Sequence, residues 1–280
     1  MGNLIFDPDA LAKAKRLVIC VPGALSSINI FEPVKAWTDD GYGVAFYRFP
    51  GLDGRLVHPA LNIDDAAGEI AALAAKYSDK PVRLLGYSTG GPIVITAAAR
   101  LSVDVKIAAM SSAVEGGGGL RTGLQGLWDV IYAAGRAMSM DVQTIWMEYY
   151  RVLLFGRAVL HDKALAARAD AVIAAHRPHI VMPDGGKPRA HTDSLRQWRL
   201  PKGAQFDRER LRFFVGLSDP VFSSRQTLDF AARCGGADVM GYPGQGHLLF
   251  LSCETIFDDI RGFFDGSPTD PASAAELVSR

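Results

Sequence analysis

Gly86-Tyr87-Ser88-Thr89-Gly90 joins a short apolar run, Val82-Arg83-Leu84-Leu85, to an alanine-rich segment from Pro92 to Leu101. Length and residue type make the first a strand and the second a helix. A serine on so sharp a strand-to-helix turn adopts a strained backbone. Glycines two positions before and after it remove side chains that would collide there. Such a turn exposes the hydroxyl at the carboxyl end of a sheet and sets it at a helix N-terminus, where N–H groups favour negative charge. A chain carrying this element is expected to build the rest of its fold around it.

The first third supplies a matching sheet. Leu17 to Val21 reads as a buried strand stopped by Pro22-Gly23, and Val44 to Phe49 as a second strand stopped by Pro50-Gly51. Val82 to Leu85 is the third and Val105 to Met110 the fourth. Helices are expected between them, over Asn29 to Asp40 and Asp64 to Tyr77, the latter with Asp64 and Asp65 in its first turn. Continuous apolar strands alternating with helices predict an α/β fold: a mostly parallel sheet covered on both faces.

The pattern changes at the four-glycine run Gly116 to Gly119, which reads as a hinge. From there to about Leu200 the sequence is helical, with expected helices over Leu124 to Met138, Asp141 to Phe155 and Asp162 to His176. Only Ile180-Val181-Met182 resembles a strand. Strand signals return at Arg212 to Val215 and Asp238 to Tyr242, with a helix over Ser224 to Arg233 and a last one over Leu249 to Phe264. The expected organisation is a core of residues 1–115 and 206–265, a helical insertion over 116–205 and a loose tail over 266–280.

Composition narrows the classes. The 280 residues are 49% hydrophobic and carry 30 basic and 30 acidic side chains, a formal net charge of zero. That argues against nucleic acid, whose binding rests on phosphate neutralisation, and against an anionic membrane surface. Cys20, Cys234 and Cys253 lack metal-ligand spacing and read as thiols in a reducing compartment. Met1 to Lys15 carries Asp7 and Asp9 and does not read as a secretory signal, and no apolar stretch is long enough for a span. A soluble cytoplasmic protein is expected.

Two further motifs complete a pattern. Leu217-Ser218-Asp219-Pro220 follows a strand, and Gly244-Gln245-Gly246-His247 follows the last one. Together with the turn at Ser88, these resemble the α/β-hydrolase superfamily in both order, Ser…Asp…His, and context. The resemblance covers about Arg16 to Phe264, with the insertion where that family carries its cap. It implies Ser88 as nucleophile, His247 as general base and Asp219 as the acid that fixes the imidazole tautomer. It also implies an oxyanion hole from the N–H groups of Thr89 and Ala24. The chain departs from the family at Pro22-Gly23, where a His-Gly pair is usual and the His braces the loop. Glu115 is a second candidate acid, while Asp229 and Asp238 lie where they would point away. Serine at position 88, rather than aspartate, excludes the chemistry of dehalogenases and epoxide hydrolases of this fold.

The insertion is loaded with Trp128, Tyr132, Met138, Met140, Trp146, Met147, Tyr149, Tyr150, Leu153, Leu154 and Phe155. Collectively they suggest an apolar acyl pocket. His161, His176, His179 and His191 read as loop histidines rather than zinc ligands, His58 precedes Ser88 and is off-order for the triad, and the glycine run lacks the Lys-Ser or Lys-Thr of a phosphate loop. The expectation is a serine hydrolase of small, mainly apolar carboxylic esters, needing no cofactor or metal. Thioesterase, lactonase, aminopeptidase and carbon–carbon hydrolase activities share the triad. A small-ligand receptor on the same fold, or a lyase, would use the same residues differently.

Overall fold

The computed structural model describes residues 2–23, 26–49, 61–115, 141–177, 180 and 193–267. Seven strands form one sheet: β1 (Leu4–Phe6), β2 (Arg16–Val21), β3 (Tyr42–Tyr47), β4 (Val82–Tyr87), β5 (Val105–Met110), β6 (Leu211–Gly216) and β7 (Asp238–Tyr242). Their order is β1-β3-β2-β4-β5-β6-β7, and every pairing is parallel except β1 with β3. The mostly parallel α/β architecture is as the sequence predicts.

Alternation along the strands divides two apolar layers. Leu17, Ile19 and Val21, with Val82 and Leu84, face one layer, while Val18, Cys20, Leu85 and Tyr87 face the other. The first layer is closed by α1 (Pro8–Lys13), α3 (Ile63–Lys76), α4 (Gly90–Ala98) and α7 (Ser224–Arg233). The second is closed by α2 (Glu32–Lys35), α5 (Val142–Phe155) and α9 (Ile256–Asp265). Several helix starts are capped by a short polar side chain. Asn62 accepts from the N–H groups of Asp64 and Asp65, and Ser223 forms a capping box with Gln226.

Several elements differ from expectation for local reasons. The segment expected as one helix over Asn29 to Asp40 is two 3₁₀ turns flanking α2, because Pro33 in the first turn of α2 supplies no N–H to the preceding turn. Strand β3 starts two residues early, directly after Gly41 at φ +83°, and ends at Tyr47 where its pairing with β1 stops. The helix expected over Leu249 to Phe264 is broken into α8 (Leu249–Ser252) and α9, with extended backbone at Cys253. Strand β1 and helix α1 are additional. Between β5 and β6 the described residues hold α5, a 3₁₀ turn (Arg157–Leu160) and α6 (Lys163–His176). The expected helix over Leu124 to Met138, the glycine run and residues 181–182 lie outside the described residues, as does the tail from 268.

Strand order fixes where a site can form. From β2 the chain moves to β3 on one side, then crosses to β4 on the other. The carboxyl ends of β2 and β4 therefore border the crevice of a topological switch point. The turn after β4 fits only without side chains at two positions. A Cβ on Gly86 would stand 2.5 Å from the Gly90 carbonyl oxygen, and one on Gly90 would overlap the Val21 carbonyl. Both obstacles are backbone, which cannot swing aside. Gly90→Ala is expected to cost about 3 kcal/mol, the upper range for overpacking. Thermal unfolding should show a midpoint roughly 6–12 °C lower.

Candidate active site

Ser88 is the residue that follows β4, and its φ of +51° is one of two positive values among described non-glycine residues. A serine seldom adopts this conformation, so the surroundings must hold it. They do so through backbone bonds. The Ser88 N–H donates to the Met110 carbonyl at 2.9 Å, and the Ser88 carbonyl accepts from the N–H groups of Gly91 and Ala113 at 3.0 and 3.1 Å. The elbow is thus fastened to the end of β5 on one side and to its own helix on the other.

His247 and Asp219 reach it from the last two strands, β7 and β6, at one end of the sheet. Asp219 lies three residues beyond β6, and His247 five beyond β7. His247 Nε2 is 3.3 Å from Ser88 Oγ, and His247 Nδ1 is 2.8 Å from Asp219 Oδ2. The other Asp219 oxygen accepts from the N–H groups of Val221 and Phe222 at 2.7 and 3.1 Å. With its side chain 1% exposed, the carboxylate accepts from three donors aimed at it. The imidazole is also fixed by contact: the Tyr87 and Phe222 rings lie 5.4 and 5.7 Å from it, centroid to centroid. Phe222 therefore acts twice, through its ring on His247 and its N–H on Asp219.

The loop carrying His247 hangs from the last turn of α5. The N–H groups of His247 and Leu248 donate to the Leu153 carbonyl at 2.7 and 3.2 Å, and that of Gly246 to the Leu154 carbonyl at 2.7 Å. The final carbonyls of a helix lack intrahelical partners, and here the His loop provides them. The approach is close enough that a Cβ on Gly246 would overlap the Leu153 oxygen. At the next turn Gly156, φ +73°, packs against Ser218, one residue before Asp219.

The loop after β2 approaches Ser88 from the remaining side. A Cβ on Gly23 would stand 2.9 Å from the Cβ of Ser88. The buried Ser26 braces this turn: its Oγ accepts from the Gly23 N–H at 2.8 Å and donates to the Gly23 carbonyl at 3.2 Å. Ser26 thus fills the bracing task left open by the missing His, and it occupies the Gly23 N–H. Ala24, the expected second oxyanion donor, lies outside the described residues. The Thr89 N–H, the expected first donor, has no acceptor among the described residues.

The other candidates fall elsewhere. Glu115 is held by Arg233 at 3.0 Å and Arg199 at 3.8 Å rather than by His247. Asp238 pairs with Arg212, and Asp229 lies within α7. His161 ends a 3₁₀ turn and His176 ends α6, while His58, His179 and His191 lie outside the described residues. Among the described residues no group of three or more His, Cys, Asp or Glu side chains comes together. No described helix is long and apolar enough to cross a membrane. The sequence pattern missed Tyr87, Phe222 and Ser26 as site residues. Tyr87 and Ser26 adjoin motifs that were read, but nothing in their identity distinguished them.

The sequence matches the model of the alpha/beta hydrolase family over residues 18–258. Among solved structures, BpoC from Mycobacterium tuberculosis H37Rv superposes with a TM-score of 0.72 at 18% identity, over 96% of this chain and 98% of its own. A hydrolase from Pseudomonas aeruginosa PA01 reaches 0.66 at 14% identity, over 94% and 93%. A carboxylesterase from the thaumarchaeon Nitrososphaera gargenis reaches 0.65 at 17% identity, also over 94% and 93%. At these identities the likeness is one of fold. No curated protein matches the sequence.

Ser26→Ala removes both bonds that brace the β2 loop and strands a buried Gly23 N–H. We expect a stability loss of about 1–3 kcal/mol, read from urea unfolding. An unchanged midpoint would show that the loop does not depend on Ser26.

Proposed function

The chain belongs to the alpha/beta hydrolase family, and on that footing we propose that it is a serine hydrolase of small, mainly apolar carboxylic esters. The observation that carries the reading is the continuous relay from Ser88 Oγ through the His247 ring to Asp219, at 3.3 and 2.8 Å. A free serine hydroxyl is a weak nucleophile at neutral pH, so it needs a base within hydrogen-bond reach. The longer of the two distances suits a resting site, where such bonds tighten only with substrate bound.

In the proposed reaction Ser88 Oγ attacks the ester carbonyl while its proton passes to His247 Nε2. Asp219 holds the Nδ1 proton and stabilises the imidazolium that forms. Negative charge develops on the carbonyl oxygen, where the N–H of Thr89 and that of Ala24 would receive it at the α4 N-terminus. His247 then gives its proton to the departing alcohol. Water, deprotonated by the same imidazole, attacks the acyl-enzyme and releases the acid. Burial keeps Tyr87 protonated by raising its phenol well above the ordinary value, so beside the ring it contributes no charge.

The helices of the insertion act in this reading as a cap over 116–205. Tyr150, Leu153, Leu154 and Phe155 of α5 are buried in the same apolar cluster as Tyr87. That supports an apolar rather than a charged acyl group. Thioesters, lactones and amides undergo the same attack, so a competition among them defines the leaving group.

A fluorophosphonate probe should add once to the wild-type protein and not to Ser88→Ala, as read by intact mass. Ester turnover by Ser88→Ala at the wild-type rate would sink the proposal. Asp219→Asn should keep the adduct site but lower kcat by roughly 10³–10⁴-fold, through loss of the imidazole tautomer.

A further inference from the structure

Helix α5 carries two hydrogen-bond donors that have no partner among the described residues, and one of them, the Trp146 indole N–H, is itself a buried atom. Trp146 is 9% exposed and its indole N–H has no partner. Tyr150, one turn further along, is 7% exposed, and its hydroxyl makes no hydrogen bond among the described residues. Both belong to the apolar cluster that contains Tyr87. The Tyr87 hydroxyl also lacks a partner among the described residues. A buried donor without an acceptor loses its water and gains nothing, so native proteins rarely leave one that way without a reason.

The position of these donors gives the reason. Leu153 accepts the His247 N–H, so its turn is fixed beside the imidazole. Tyr150 lies about 4.5 Å back along the helix axis and Trp146 about 10 Å back. The spacing, 146, 150 and 153, is that of one helix stripe. The stripe therefore starts at the turn that holds the His247 loop and runs back along α5 over the length of an acyl chain of several carbons. Tyr87, next to Ser88, packs its ring against His247 and against Phe250 of α8, which closes the near end.

Charge identifies the acceptor. The cation on α5, Arg151, is already paired with Glu148 and Asp170. Arg168 of α6 lies over the Phe155 ring and donates to the Ser252 carbonyl. The donors on the stripe are neutral, and Tyr150 stays so because burial raises its phenol to about 12. Glu148, on the same helix and 17% exposed at its side chain, would repel an anion.

We propose that Trp146 and Tyr150 are specificity-determining residues that bind a neutral oxygen acceptor, a keto carbonyl, in the acyl chain of the substrate. The substrate class is then an oxo-substituted acyl ester rather than a plain alkanoate. This rests on the reading of Ser88 as nucleophile for the place of the scissile carbonyl. The binding preference itself is measured without turnover.

The test compares p-nitrophenyl hexanoate with its 4-oxo and 5-oxo counterparts. On wild type, kcat/KM should favour at least one oxo ester by about tenfold, as two neutral hydrogen bonds allow. Tyr150→Phe and Trp146→Phe should each lower that ratio by about threefold to fivefold. A ratio cancels any general loss of folded enzyme, because both esters meet the same protein. In parallel, Ser88→Ala should bind methyl 5-oxohexanoate or methyl 4-oxohexanoate about tenfold more tightly than methyl hexanoate, by tryptophan fluorescence. Equal affinities, or a wild-type ratio near one, would overturn the proposal and leave the two side chains as packing. Selective oxo-ester binding without turnover of any ester, and without a fluorophosphonate adduct, would keep the proposal and overturn the hydrolase reading.

Discussion

The site depends on one steric fact: the backbone of the turn after β4 lies directly on the backbone of β2. Gly90 faces the Val21 carbonyl and Gly86 faces the Gly90 carbonyl, with no room for a side chain at either position. That contact brings the end of β4 and the loop after β2 together at the switch point of the sheet. It also holds Ser88 at φ +51°, a conformation that serine does not choose by itself. A strained residue persists only where its surroundings over-determine it. The bonds from Ser88 to Met110, Gly91 and Ala113 are that over-determination.

The second constraint couples α5 to the loops that carry Asp219 and His247. A helix of the insertion, α5, ends with carbonyls that its own geometry cannot satisfy, and the N–H groups of Gly246, His247 and Leu248 take them up. Gly156, just past that helix, packs on Ser218, while Ser218 donates to the Gln245 carbonyl. The Asp219 loop, the His247 loop and the last turn of α5 are thus one bonded unit. A shift of α5 at this end would move the imidazole.

Periodicity and order made the sheet legible, because strands buried on both faces have no other way to be written. Ser88, Asp219 and His247 were legible for a related reason: each ends a strand on the same edge of the sheet. Strand β1 was not legible, since Leu4 to Phe6 is three residues long and gains its meaning only from pairing with β3. The break between α8 and α9 was hidden for a different reason. Leu249, Ile256 and Ile260 keep a helical apolar spacing across it, although Cys253 is extended. Ser26 carried no signal, because a brace made by one hydroxyl to a turn three residues away needs no pattern around it.

The polar groups of the site divide into two sets, and the division has physical content. Around Asp219 every donor meets an acceptor: His247 Nδ1, Val221 N–H and Phe222 N–H all converge on two oxygens. Such convergence fixes one geometry, and in the proposed reaction it lowers the reorganisation needed when the imidazole gains charge. On the side that the proposals give to the substrate the opposite holds, for the Thr89 N–H and the Trp146 and Tyr150 donors have no protein acceptor among the described residues. A group that already had a partner in the resting protein would have to break that bond before binding anything. Donors held in place by packing alone, with their hydrogens unused, exchange nothing when an acceptor arrives. In the proposed reading such donors discriminate against any molecule that fills the space without an oxygen to offer.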